Sequence, residues 1–340
     1  MQSTQQPLQE MSLKQRLNMV NSLYIFYPRF KDILSAIEYC HHFSYCKDEP
    51  ECMFLGGQSG VGKTTIYKTY ASKYPRQINS EGTTVPILAV TIPAPATVKT
   101  VVTKMLWELG DPAYDKGSIG NQTIRLIGLL DNCGVELIIL DEFQHFIDRE
   151  SDKVLRTVSD WLKTLILETN LPIILIGLPE SEQVLKLESQ SQLSRRFANR
   201  CYLYPFSWQE DGGKEFRTFL NLLSSKIPLV ETFDLSDEYT ARRIYYASDG
   251  IVAYVMKLIR YGTYLALQRN QEKLDLSIIA TAFEKYVQAD KPGKVNPFLF
   301  DNFEINSVNK STVELEIGAT NNRIKSKSKK KSASNILRNK

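Results

Sequence analysis

The sequence predicts an α/β fold in which a five-stranded parallel sheet is flanked by helices, followed by a small α-helical lid and a disordered basic tail. Up to residue 206, short apolar runs alternate with amphipathic helical stretches, which is the pattern of a parallel sheet covered on both faces. Beyond that point the periodicity is wholly helical until residue 290, and a polar, basic segment ends the chain.

Continuous apolar runs predict the strands, because a strand buried on both faces of a parallel sheet has no polar side. These runs are the one ending at Leu55, then VPILAVTIP (85–93), VELIIL (135–140), LPIILIGLP (171–179) and CYLYPF (201–206). Helical stretches separate them: GKTTIYKTYASKY, TVKTVVTKMLWELG, NQTIRLIGLLDNC and DKVLRTVSDWLKTLILETN. The sequence therefore predicts a parallel sheet between helical layers.

The first strand leads into a glycine-rich loop, GGQSGVGKTT, which matches the Walker A spacing and opens a helix. Glycines let backbone N–H groups curl round phosphates, and the start of the helix adds positive potential. We expect Lys63 to reach the β- and γ-phosphates of ATP and the Thr64 hydroxyl to bind Mg²⁺. The residues predicted to bind the nucleotide in this loop are Gly57, Gly60, Gly62, Lys63, Thr64 and Thr65.

The third strand ends in two acidic residues, Asp141 and Glu142. Ligands bind at the carboxyl ends of parallel strands, so these carboxylates are expected beside the Walker A loop. Asp141 is predicted to bind the nucleotide together with Mg²⁺, as in a Walker B motif. Glu142 is the predicted general base that orients water for attack on the γ-phosphate.

We predict five segments, because 340 residues exceed the usual size of one domain. They are an N-terminal helical segment (1–50), an α/β ATPase core (51–206), an α-helical lid (207–290), a linker or docking segment (291–320) and the basic tail (321–340). The tail holds eight basic residues and no acidic one, so the net charge of +4 leaves −4 for residues 1–320. Such a tail could hold DNA phosphates or an acidic partner, or simply keep the protein soluble.

The apolar runs are too short to span a bilayer, and the start of the sequence has no secretion signal, so we expect a cytoplasmic protein without membrane contact. Five cysteines without paired spacing fit a reducing compartment. The spacing of Cys40, His41, His42 and Cys46 fits no standard zinc finger, so half-buried thiols beside polar imidazoles are expected there.

The order of these parts resembles that of AAA+ ATPases and, more closely, the transposition regulators TnsC and TniB of Tn7-like or CRISPR-associated transposons. The resemblance spans roughly residues 25 to 265 and includes, besides both Walker motifs, a strand with a proline-rich exit followed by LGDP. The matching stretches are YPRFKDILSAIEYC, GGQSGVGKTTI, VTIPAPATVKTVVTKMLWELGDP, IILDEFQHF, IILIGLPES and SQLSRRF.

This resemblance implies that an arginine of LSRRF enters the ATP site of a neighbouring copy and acts catalytically there. Arginine suits that role, because its permanent charge and planar donors match phosphate oxygens. Arg196 is the preferred residue and Arg195 the second. A structural role, with both arginines solvated or paired within one chain, is the alternative.

The resemblance also implies a homo-oligomer, as a ring or helical filament, assembled on double-stranded DNA. Thr97, Lys99 and Lys104 begin the helix after VTIPAPA and are the predicted DNA-facing residues. The implied protein partners are a transposase and a target-selection protein of the TniQ or TnsD type. ATP would favour assembly, and hydrolysis would permit release.

Two departures from the family pattern suggest slow, regulatory hydrolysis. The fourth strand ends Ile176-Gly177-Leu178 and lacks the polar sensor residue of many AAA+ proteins. The lid offers only Lys257 and Arg260 as candidates for a second sensor. Alternative functions are a helicase loader or origin initiator, which shares every Walker residue, and a nucleotide-binding signalling scaffold with negligible turnover.

Overall fold

The structure is a computed structural model of the chain, and it describes residues 8–43, 49–80, 82–147, 152–186, 191–231, 233–301 and 303. The predicted basic tail at 321–340 and Cys46 lie outside these residues. One compact unit comprises Tyr24–Pro205 and Ile251–Ala253. The other comprises the described residues of Met1–Leu23, Phe206–Gly250 and Tyr254–Lys340. This division places residues 24–43, 49 and 50 with the α/β core, whereas the sequence-based boundaries set residues 1–50 apart.

A five-stranded sheet forms the centre of the first unit, and the predicted α/β fold class is confirmed. Its strands lie in the order β4-β5-β6-β1-β7, and every neighbouring pair is parallel. Thus β6 lies between the Walker A strand and the strand that ends in Asp141. The strands are β1 (Met53–Gly57), β4 (Ile87–Thr91), β5 (Leu137–Asp141), β6 (Ile173–Gly177) and β7 (Asn199–Leu203).

The sequence did not predict a small antiparallel hairpin of β2 (Gln77–Asn79) and β3 (Gly82–Thr84). All three residues of β2 are exposed, so the hairpin lacks the apolar pattern that reveals a strand. The central strands differ, since every residue of β1, β5 and β6 is buried. Their continuous apolar sequence is therefore explained by helices on both faces of the sheet.

The helices of this unit begin and end at local sequence signals. The Thr97 side chain accepts a hydrogen bond from the backbone N–H of Thr100 to start α4, and Gly110 ends that helix in a left-handed conformation (φ 92°). Ser118 caps α5 in the same way. The helices are α2 (Pro28–Phe43), α3 (Lys63–Ala71), α4 (Val98–Leu109), α5 (Ile119–Asn132), α6 (Asp152–Thr169) and α7 (Ser191–Arg196).

The second unit is helical, as predicted for the lid region. Arg16 of its first helix forms a bidentate pair with Glu272. The Asn296 side chain donates to the backbone carbonyl of Ala280 at 3.1 Å, so part of the predicted docking segment packs on this unit. Its helices are α1 (Leu13–Asn21), α8 (Lys214–Ser224), α9 (Glu238–Ser248), most of α10 (Val252–Gln268) and α11 (Leu276–Tyr286). Among the described helices, none combines the length and apolarity needed to cross a membrane.

Candidate nucleotide-binding site

The loop between β1 and α3 is held open by glycines. Gly60 (φ 81°) and Gly62 (φ 108°) lie in the left-handed region, which a side chain would strain. A Cβ on Gly57 would approach the carbonyl oxygen of Leu203 to 2.4 Å, so only glycine fits where β1 passes β7. The loop then turns directly into α3 at Lys63. Its backbone can therefore present N–H groups to a phosphate at the start of the helix.

Two side chains of the first turn of α3 point into this loop and toward β5. The Lys63 ammonium donates to the carbonyl oxygens of Gly57 at 2.6 Å and Gln58 at 2.9 Å. Burial lowers the pKa of Lys63, and the Asp141 and Glu142 carboxylates oppose that shift. The Lys63 side chain therefore lies over the loop in which the phosphates of ATP are predicted to bind. Thr65 follows in the same turn, and its carbonyl accepts from the Thr69 hydroxyl at 2.8 Å.

The Thr64 hydroxyl donates to the Asp141 carboxylate at 2.9 Å, which joins the Walker A helix to the end of β5. Asp141 is 2% exposed, and burial raises the pKa of its carboxyl group while the Thr64 hydrogen bond opposes the rise. A hydroxyl and a carboxylate oxygen side by side are the hard ligands that Mg²⁺ prefers. These residues therefore fit the predicted magnesium position.

Glu142 adopts a left-handed conformation (φ 61°), which is uncommon for a residue other than glycine. Its backbone N–H donates to the Asp141 carboxylate at 2.9 Å, and this bond helps to hold the turn. The Asp141 carboxylate is thus held by both the Thr64 hydroxyl and the Glu142 N–H.

Gln144 is a site residue that sequence reasoning missed. Its amide N–H donates to the Glu142 carboxylate, and its amide oxygen accepts from the backbone N–H of Leu178 at 3.2 Å. The stretch DEFQHF contributes to the family resemblance, but nothing in the sequence assigns a role to Gln144. Since Gln144 and Leu178 are 34 residues apart, only the packing of β6 beside β5 reveals the contact.

Arg195 and Arg196 occupy different environments at the end of α7. The Arg196 side chain is 12% exposed and lies 3.4 Å from the Glu49 carboxylate. The Arg195 side chain is 73% exposed and lies 4.0 Å from the same carboxylate. All three line a cavity of about 280 Å³ together with residues 50–52, 198 and 199. The geometry therefore makes Arg195 the more accessible of the two.

The three predicted DNA-facing residues also differ from one another. The Thr97 side chain caps the start of α4, where it accepts a hydrogen bond from the Thr100 N–H. Lys104 forms an ion pair with Glu108 at 2.9 Å and lies 3.6 Å from the centre of the Trp107 ring. Lys99 is exposed and forms no ion pair with another described residue.

Lys153 of α6 lies close to Thr97 at the start of α4. The sequence did not single out this basic residue. It lines a cavity of about 240 Å³ together with Thr97, Phe146 and Thr157. Lys153 is exposed, so its ammonium adds positive charge beside the start of α4. Packing on the parallel sheet brings α4 and α6 together, so the proximity of Lys153 to Thr97 could not be predicted from the sequence.

The remaining candidates have partners within their own units. Lys257 pairs with Asp290 at 2.5 Å, and Arg260 donates to the carbonyl of Asn21 at 3.4 Å. The Cys40 thiol donates to the carbonyl of Glu51 at 2.9 Å. His41 is fully buried, with its ring nitrogens 2.8 Å from the Tyr70 hydroxyl and 3.1 Å from the Glu136 carboxylate. These contacts give each group a structural partner.

Comparison with known proteins identifies both a sequence family and a fold. The profile of the family described as bacterial TniB protein matches residues 16–207. No curated protein sequence matches the chain significantly.

Solved structures with the same fold include two ORC proteins and a Cdc6 protein. The Aeropyrum pernix ORC2 protein in ADPNP–ADP complexes has a TM-score of 0.57 and 16% identity, over 79% of this chain and 71% of that one. The Aeropyrum pernix ORC1 protein in complex with DNA has a TM-score of 0.56 and 15% identity, over 79% and 69% of the two chains. Cdc6p from Pyrobaculum aerophilum has a TM-score of 0.55 and 12% identity, over 78% and 69%.

Proposed function

The chain belongs to the TniB family, and on that basis we propose that it is an ATP- and Mg²⁺-dependent AAA+ regulator of DNA transposition. The resemblance predicted from the motifs is confirmed by the match over residues 16–207. The observation that carries the proposal is the 2.9 Å hydrogen bond between Thr64 and Asp141, because it joins both Walker motifs at one point. In this function the protein oligomerises on target DNA and couples target-site selection to the transposase.

Nucleotide binding follows from the loop and the first turn of α3. Backbone N–H groups beside Gly60 and Gly62 bind phosphate oxygens, and Lys63 exchanges its carbonyl partners for the β- and γ-phosphates. Thr64 and Asp141 would hold Mg²⁺, which would supply positive charge to neutralise the phosphates. The likeness to Aeropyrum pernix ORC2 in ADPNP–ADP complexes supports a nucleotide here.

Hydrolysis requires a base near the γ-phosphate, and in this proposal the base is Glu142, one residue beyond Asp141. Its carboxylate accepts the proton of a water that attacks the γ-phosphate. The reaction is slow and regulatory in this proposal, because β6 contributes no polar sensor to the site. Turnover then times the release of an assembly instead of driving a motor.

Oligomerisation supplies the arginine that the site lacks. An arginine of α7 from a neighbouring copy stabilises the charge on the transferred phosphoryl group. The exposure of Arg195 favours it over Arg196, which is held by Glu49, and this revises the preference from sequence. Assembly and hydrolysis are thereby linked.

DNA binding in this proposal comes from many copies of a small basic surface. Lys99 and Lys153 are exposed near the start of α4, and Thr97 and Lys104 flank them. Phosphate contacts of this kind give little sequence preference and strong salt dependence. A target-selection protein of the TniQ or TnsD type and a transposase are the proposed protein partners in the cytoplasm.

Electron microscopy with duplex DNA and a non-hydrolysable ATP analogue tests the proposal. We expect rings or filaments round DNA with the wild type and none with Lys63→Ala. Phosphate release measured in parallel separates a regulator with turnover from a scaffold without it. Monomers under every condition would overturn the oligomeric regulator, and DNA-bound assemblies with no phosphate release would favour the scaffold.

A further inference from the structure

At the end of the sheet where the nucleotide site lies, the strand β6 contributes no polar side chain. β6 lies between β1 and β5, the strands that lead to Lys63 and Asp141. It nevertheless ends with Gly177, followed by Leu178. A polar group at this position must therefore come from a different element.

Gln144 supplies that group from the 3₁₀ helix after β5. A Cβ on Gly177 would lie 3.0 Å from the amide oxygen of Gln144 and 2.7 Å from the Ser181 hydroxyl. The glutamine thus occupies the space into which a side chain on Gly177 would project. Its amide oxygen is bound by the Leu178 N–H at 3.2 Å, and its amide N–H is donated to Glu142.

Packing fixes the backbone that carries this side chain. The residues on either side of the turn, Phe143 and Phe146, are 0% and 1% exposed. The Gln144 carbonyl accepts from the Ile147 N–H at 2.7 Å. The Ser181 hydroxyl is buried beside it and has no hydrogen-bond partner within the described ranges. The Gln144 amide is therefore carried by a tightly packed backbone and has the Ser181 hydroxyl as a second polar neighbour.

We propose that Gln144 is a positioning residue for Glu142 and takes the part of the polar residue that β6 lacks. Its N–H fixes the carboxylate, and its oxygen detects the position of the loop after β6. A displacement of Leu178 changes the orientation of the amide and hence of the base that orients water. The inference rests on the proposed ATP hydrolysis, because it assigns Glu142 a partner in that reaction.

Two substitutions separate the two hydrogen bonds. Gln144→Leu removes both, while Gln144→Glu retains an acceptor for the Leu178 N–H and places a carboxylate against Glu142. Ser181→Ala is the matched control, since it removes a neighbouring hydroxyl without a described partner. Measurements are ATP affinity, kcat and KM, and amide hydrogen exchange at Leu178.

We expect both Gln144 variants to bind ATP within about twofold of wild type, because Gln144 makes no described contact with the Walker A loop. Their kcat should fall about 10²-fold through misplacement of the base. Exchange at Leu178 should accelerate in Gln144→Leu and stay slow in Gln144→Glu and Ser181→Ala.

Unchanged kcat in both Gln144 variants of an active enzyme would overturn the inference. If the wild type itself hydrolyses no ATP, the proposed function fails. Amide hydrogen exchange at Leu178 still tests whether Gln144 holds the Leu178 N–H. In that case equal exchange at Leu178 in wild type and Gln144→Leu would reject the Gln144 contact as well.

Discussion

Arg196 lies 3.4 Å from the Glu49 carboxylate with its side chain 12% exposed, while Arg195 beside it is 73% exposed. The two arginines are adjacent in sequence and lie near the same carboxylate, but Arg196 is the closer to it and the more buried of the two. If an arginine of α7 acts in a neighbouring copy, as proposed, the exposure of Arg195 favours it for that role.

Arg195→Ala should lower the kcat for ATP hydrolysis by about 10³-fold, the lower end of what an arginine supplied in trans contributes. Arg196→Ala should lower it less and should instead reduce the free energy of unfolding by up to about 1 kcal/mol, since Glu49 is half exposed. Phosphate release and urea denaturation measure the two effects.

Mixing inactive variants tests whether the arginine acts between copies. Glu142→Gln lacks the predicted general base but has Arg195 and is expected to keep its nucleotide, and Arg195→Ala has the reverse defect. Mixed assemblies should recover part of the hydrolysis that each variant lacks alone. No recovery in mixtures that do assemble would place the arginine's action within one chain.

Glu142→Gln should trap the nucleotide-bound state. The amide keeps the shape of the carboxylate but accepts no proton, so kcat should fall about 10²- to 10⁴-fold. ATP affinity should change little, and assemblies on DNA should persist where wild-type assemblies dissociate. Glu180→Gln, at an exposed position after β6, is the control and should behave as wild type.

Lys99→Ala should weaken DNA binding more than Lys104→Ala. Lys104 is already paired with Glu108, whereas Lys99 is exposed. Each lost phosphate contact should reduce the slope of log K against log salt by about 0.9. Fluorescence anisotropy with labelled duplex DNA at several salt concentrations measures the slope. Equal slopes for Lys99→Ala and wild type would exclude Lys99 from the DNA surface.

His41 should make the fold sensitive to mild acid. Burial and the adjacent His42 lower its pKa from 6.5, and its Glu136 contact only partly opposes the shift. Above pH 6.5 the ring is neutral in both states, so its contribution to stability is complete there. As pH falls below that value, the unfolded chain binds the proton first and the folded state loses stability.

The His41→Gln variant isolates this effect, because it keeps polar contacts without a titrating ring. Between pH 7.5 and 5, wild-type Tm should fall more steeply than the Tm of the variant. His42→Gln is the companion control and should retain most of the wild-type slope. Parallel Tm curves for wild type and His41→Gln would contradict the assignment.

Local patterns in the sequence determined the strands and the Walker residues. A buried parallel strand must be apolar along its whole length, and a phosphate loop needs glycine where the backbone turns left-handed. Both requirements apply to consecutive residues, so β1, β5 and Gly62 could be predicted without knowing which residues surround them in the fold. The exposed β2–β3 hairpin has neither requirement and was missed.

Only the tertiary structure decided which side chains are partners. Arg196 contacts Glu49, Gln144 contacts Leu178, and Lys153 lines a cavity together with Thr97, although the members of each pair are distant in sequence. Their geometry depends on strand order, since β6 reaches the Glu142 turn only because it lies between β1 and β5. Chain periodicity fixes what each element is, whereas packing between elements fixes which charges and hydrogen-bonding groups meet.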